Sequence, residues 1–182
     1  MRRISWLLAP VAAVSLAAGV AVAGSQTSET KPVTADFQAS LAQQRERACD
    51  ASHSIFRVRF EGTETSDDAR LVGNLEARVR SVVNTETGWG RTTGKVVIRD
   101  PASGRPKFHG HVVGVLEPDG GIEGFLEGRT VARPHMRLLA NFNADQNQQT
   151  GAITGEFGKD SQSGESQDPA ILTNACRGGH AK

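Results

Sequence analysis

Between residues 55 and 158, apolar and polar side chains trade places at every second position, the period of a β-strand with one face in a core. The clearest run puts Leu71, Gly73, Leu75, Ala77, Val79, Ser81 and Val83 on one face and Arg70, Asn74, Glu76, Arg78 and Arg80 on the other. The alternation recurs in Phe56, Val58, Phe60; in Gly94, Val96, Ile98; in Leu138, Ala140, Phe142; and in Gly151, Ile153, Gly155, Phe157. A weaker run covers Ile171 to Cys176. Loops expected between the runs, among them Glu61 to Ala69, Asn84 to Gly90 and Lys159 to Pro169, have the chemistry of strand connections. With the two strands of a hairpin at Pro118-Asp119-Gly120-Gly121, the expected fold class is all-β, an antiparallel meander of about eight strands. A meander apolar on one face can close into an up-and-down barrel, which removes both edges, whereas a β-sandwich is the alternative because chain order does not fix closure.

The hairpin tests the pattern further, because its register decides which residues face inward. A two-residue loop would turn His109 and His111 inward beside Ile122 and Leu126. A three-residue loop with a glycine at positive φ instead sets Phe108, Gly110, Val112, Gly114 and Leu116 on one face with Ile122, Gly124, Leu126, Gly128 and Thr130. That face carries no charge. Burying Glu123, Glu127 and Arg129 unpaired would cost several kcal/mol each, whereas the like-charge contact of Glu117 with Glu123 near the tip costs at most about 1 kcal/mol. The three-residue register is therefore expected.

Upstream the pattern changes. Arg2 and Arg3, the apolar stretch Ile4 to Val22 and the small-x-small site Ala21-Val22-Ala23 read as an export signal over residues 1–23, which makes the expected location extracellular or periplasmic. Residues 24–34 are polar and read as a flexible leader, and residues 35–182 as one β-barrel domain. Thr34 or Asp36 can cap a short N-terminal helix with Phe37, Leu41 and Ala48 near one face.

Composition narrows the classes of function. Loss of Arg2 and Arg3 with the signal takes the formal net charge from +1 to −1. Basic residues are interspersed with Asp and Glu along the chain, so nucleic acid is not an expected partner, nor is a membrane once the signal is gone. Two cysteines in an exported chain point to one disulfide, Cys49 with Cys176. The chain-entropy model gives a loop of more than a hundred residues an upper figure of roughly 5 kcal/mol. Oligomeric state is left open by the sequence.

Candidate chemistry is sparse. His109-x-His111 has metal-compatible spacing, with Glu127 or His135 as a conceivable third ligand, but the expected register turns the pair to solvent beside Arg129; an ordinary strand face is the stronger reading. Asp145 to Gly151, with Glu156 at the twelfth place, echoes a calcium loop but has Thr150 where glycine is needed, so a polar hairpin loop is favoured. His135, beside Pro134 in a loop, is a weak candidate for a catalytic base at a barrel mouth. No glycine-flanked nucleophile opens a helix and no cofactor motif is present, so the reading leans away from an enzyme.

The favoured function is a secreted β-barrel binding module, a carrier of a small apolar or amphipathic ligand lined by Phe108, Val112, Leu116, Ile122 and Leu126. A purely structural or protein-interaction domain is a further alternative. Glycine at Gly73, Gly94, Gly110, Gly114, Gly124, Gly128, Gly151 and Gly155 on inward faces either lets strands coil tightly or leaves a cavity, with tight coiling favoured. The layout is similar, in architecture alone, to lipocalins and avidins; Gly88-Trp89-Gly90 falls in a loop and not near the first strand as in lipocalins, and no ligand carries over.

Overall fold

The computed structural model describes residues 32–133 and 135–158. Its strands, in chain order, are β1 (Ala35–Ala48), β2 (His53–Ser66), β3 (Gly73–Asn84), β4 (Gly90–Arg99), β5 (Pro106–Leu116), β6 (Gly121–Thr130), β7 (Arg137–Gln146) and β8 (Ile153–Phe157). Each is antiparallel to the next, and β1 pairs with β8, so the meander is a closed barrel and not a sandwich.

The tip of the β5–β6 hairpin has the expected register. Leu116 lies opposite Ile122, Val112 opposite Leu126 and Phe108 opposite Thr130. Glu117 N–H donates to the Gly121 carbonyl at 2.7 Å, and Gly120, at φ 103°, completes a three-residue loop in a conformation that side chains rarely adopt.

No helix occurs among the described residues; the segment read as one is β1. Two features hid it. Its register shifts between Leu41 and Gln43, which breaks the alternation. Beyond Ala39 it pairs with β2 alone, and residues 42–48 are exposed, so neither face of this half acquires an apolar stripe. Charged and amide side chains on this edge discourage pairing with another chain.

Val33 and Thr34, expected at the end of a flexible leader, are held by the barrel, and residues 24–31 lie outside the described residues. Val33 is buried in the core cluster, and the Thr34 N–H donates to Asp67 Oδ1 at 3.0 Å while its carbonyl accepts from Ser66 Oγ at 2.7 Å. Strand β2 also runs through Ser66, so most of the expected loop from Glu61 is strand. The segment read as an export signal, the run Ile171 to Cys176 and Cys176 itself lie outside the described residues. Cys49 is described; its N–H donates to the His53 carbonyl at 2.8 Å in the β1–β2 turn.

Inside the barrel, phenylalanine rings lie on glycines. A Cβ added at Gly110 would stand 2.8 Å from Phe108 Cε1, one at Gly124 would stand 2.8 Å from Phe142 Cε1, and one at Gly128 would collide with the Phe108 ring. Missing side chains thus become ring space, so tight packing and not vacancy is the main use of these glycines. Leu71, Ile98, Phe108 and Thr130 are fully buried and close the end of the barrel that holds the 67–72 and 131–136 loops. Lys107 Nζ ties the first of these down by donating to the carbonyls of Ala69 and Val72, both at 2.7 Å.

Gly128→Ala is expected to lower stability by about 1–3 kcal/mol in urea denaturation, through overpacking against Phe108. Combining it with Phe108→Leu should cost less than the sum of the two single changes. Additive losses would mean that the ring does not occupy the glycine space.

Candidate functional site

At the opposite end from the Leu71 plug, the turns at 49–52, 85–89, 117–120 and 147–152 surround an open mouth. A cavity of about 380 Å³ lies within it, walled by Phe56, Val58, Val83 and Leu116 and rimmed by Gln44, Glu117, Gln146 and Gln148. Alternation explains the wall, which inward positions of β2, β3 and β5 supply, while the polar groups come from the uncovered half of β1 (Gln44), from the end of β7 (Gln146) and from the turns after β5 and β7 (Glu117, Gln148). Burial pushes the Glu117 carboxyl above the ordinary range, and the negative charges of Asp119, Glu123 and Asp145 push it in the same direction. Acidic side chains thus gather around Glu117 on this side of the mouth.

Midway down the lumen, Ser81 Oγ and Thr92 Oγ1 are hydrogen-bonded at 2.9 Å and buried. Beneath them is a second cavity of about 70 Å³ among Phe37, Phe60, Leu75, Val112, Phe142 and Phe157. Apart from Glu64 and Thr92 its lining is apolar.

Glu64 projects into this apolar space. It is 2 % exposed, and its Oε1 has no hydrogen-bond partner. Desolvation alone pushes its carboxyl from the ordinary 4.5 up to about 8, so at neutral pH it is mostly a neutral acid able to donate its proton. Placement follows from β2 continuing past Phe60: Gly62 and Glu64 hold the inward positions, opposite Leu75 and Gly73 of β3. The sequence reading ended that strand too early and missed the residue, although Phe56, Val58, Phe60, Gly62, Glu64 continues the period of two.

Of the ligand-lining residues expected from sequence, Val112, Ile122 and Leu126 line the inner cavity and Leu116 lines the mouth. Phe108 does neither, because it is fully buried in the plug. His135 is exposed in the β6–β7 loop at the plugged end, its Nδ1 3.0 Å from the Thr130 carbonyl oxygen, so it is not at the mouth. His109 and His111 face outward, opposite Arg129 and Glu127. Among the described residues, no three His, Cys, Asp or Glu side chains gather as a metal site. Asn147 Oδ1 accepts from the N–H groups of Gln149 and Thr150, which makes the calcium-like stretch a self-capped hairpin loop.

No protein-family model, no curated protein and no solved structure matches this chain.

Because Glu64 holds its proton to about pH 8 when folded but only to about 4.5 when unfolded, its contribution to stability is complete below 4.5 and is lost as pH rises towards 8. The loss amounts to at most about 5 kcal/mol. Urea midpoints measured across this interval should fall for the wild type and stay nearly level for Glu64→Gln. A variant that keeps the wild-type slope would assign the pH dependence to another group.

Proposed function

We propose that the protein is an exported binding barrel that carries a small amphipathic molecule, with the apolar body in the mouth cavity and a basic or hydrogen-donating end at the rim. The observation that carries this reading is the cavity of about 380 Å³, which falls within the range typical of small-ligand sites. Apolar walls favour a hydrocarbon body, and the mutual repulsion of Glu117, Glu123 and Asp145 favours a cationic end over an anionic one. Export is supported by the basic, apolar and small-x-small segments of the first 23 residues. A Cys49–Cys176 disulfide belongs to the same reading.

A second reading, an enzyme, is favoured by Glu64 and not by His135. A neutral carboxyl in a water-poor apolar cavity suits proton transfer to or from a substrate near neutral pH.

Titration with a fluorescent long-chain alkylamine should give saturable binding to the wild type, and Leu116→Trp, which fills the mouth, should weaken it at least about tenfold. An alkyl sulfate of equal chain length should bind more weakly than the amine. No saturable binding, or equal binding by Leu116→Trp, would overturn the carrier reading. Mass spectrometry of the non-reduced secreted protein should find no free thiol, and two free thiols would remove the disulfide.

A further inference from the structure

We propose that the outer wall of β1–β5 carries a second site, a groove that binds a sulfated polysaccharide chain. Along the sequence the basic residues alternate with acids, but strand pairing gathers them. One row around the wall runs Arg45, Arg57, Arg80, Thr93, Val113, each opposite the next on adjacent strands. The neighbouring row runs Gln43, Arg59, Arg78, Lys95, His111. Between the rows lies a trough of about 730 Å³, with Val58, Val79, Gly94 and Val112 along its floor.

Six of these ten wall residues are Arg or Lys. Arg59 and Arg78 lean towards Glu76 on the next row, with Arg78 Nη2 2.7 Å from Glu76 Oε1. Arg45, Arg57, Arg80 and Lys95 form no ion pair with a described residue. Like charges opposite one another on adjacent strands destabilise the empty wall, and an anion lying between the rows relieves that repulsion.

The chemistry of the ligand follows from the wall. Guanidinium groups pair in bidentate fashion with tetrahedral oxyanions, and neighbouring strands offer them at a repeat of about 4.8 Å. Gln43 and Thr93 interrupt the cations with neutral hydrogen-bonding groups that suit the hydroxyls of a sugar chain. Among the described residues the groove has one aromatic ring, the His111 imidazole at its far end, so successive nucleic-acid bases find no continuous stacking platform. The groove also follows the curved wall over five of eight strands, which a flexible chain can track and a flat bilayer cannot.

Binding of a fluorescent heparin oligosaccharide to the intact secreted protein tests the assignment. The wild type should bind saturably with an affinity that falls as salt rises, and the double variant Arg57→Gln/Arg80→Gln should raise Kd at least about tenfold. A second double variant of equal charge change at the plugged end, Arg105→Gln/Arg133→Gln, should bind like the wild type. The groove variant should melt no lower than the wild type, since it loses a like-charge contact. Equal weakening by both doubles, or tighter binding of an oligothymidylate or of phosphatidylglycerol vesicles than of heparin, would overturn the proposal.

Discussion

Pairing of Ala35–Ala39 with Ile153–Phe157 turns an eight-stranded meander into a barrel. This seam is short, and the rest of the molecule depends on it. Without it, β1 and β8 would be free edges and the apolar faces of the sheet would lack an enclosed interior. Its brevity also shapes the open end. Above Ala39, β1 has only β2 as a partner, so the wall is complete at the plugged end and interrupted at the mouth.

Within that enclosure, what decides where space remains is the pairing of large rings with absent side chains. Phe108, Phe142 and Phe37 fill the room left by Gly110, Gly124 and Gly155, and the lower lumen is consequently almost solid. The exception is the small cavity under Ser81 and Thr92, where a carboxyl takes a position that apolar residues hold in the layers around it. Burying Glu64 without a partner for Oε1 lowers stability, and the fold limits that cost by keeping the group protonated. A destabilising, unpaired acid inside an otherwise apolar interior is the kind of local conflict that marks a functional position.

Local chemistry was legible in the sequence where one strand face is buried and the other is wet. The β5–β6 register could be derived because Glu123, Glu127 and Arg129 cannot be buried cheaply and Gly120 can adopt positive φ. The number of strands was also anticipated, but the eight described include β1, which was read as a helix, while the run Ile171 to Cys176, counted as the eighth, lies outside the described residues. Residues 43–48 carry no alternation because neither face of that half-strand is covered, and their Gln, Arg and Glu content fits a helix equally well. Glu64 escaped because a carboxylate at the end of an apolar run reads as the start of a loop. The basic rows on the outer wall are a property of pairing between strands. Arg45, Arg57 and Arg80 are far apart in the chain, and only the register sets them side by side.

Closure also separates two chemistries, an apolar lumen with an acidic rim and an outer wall with a basic groove, so both rest on the β1–β8 seam. Amide hydrogen exchange followed by NMR tests that seam most directly. A closed barrel requires the paired amides of Phe37 and of Ile153–Phe157 to exchange as slowly as those in the middle of β3 and β6, while amides on the exposed edge of residues 43–48 exchange much faster. Exchange of the β8 amides at the rate of the surface loops would mean that the sheet is open, and the lumen described here would not exist in solution.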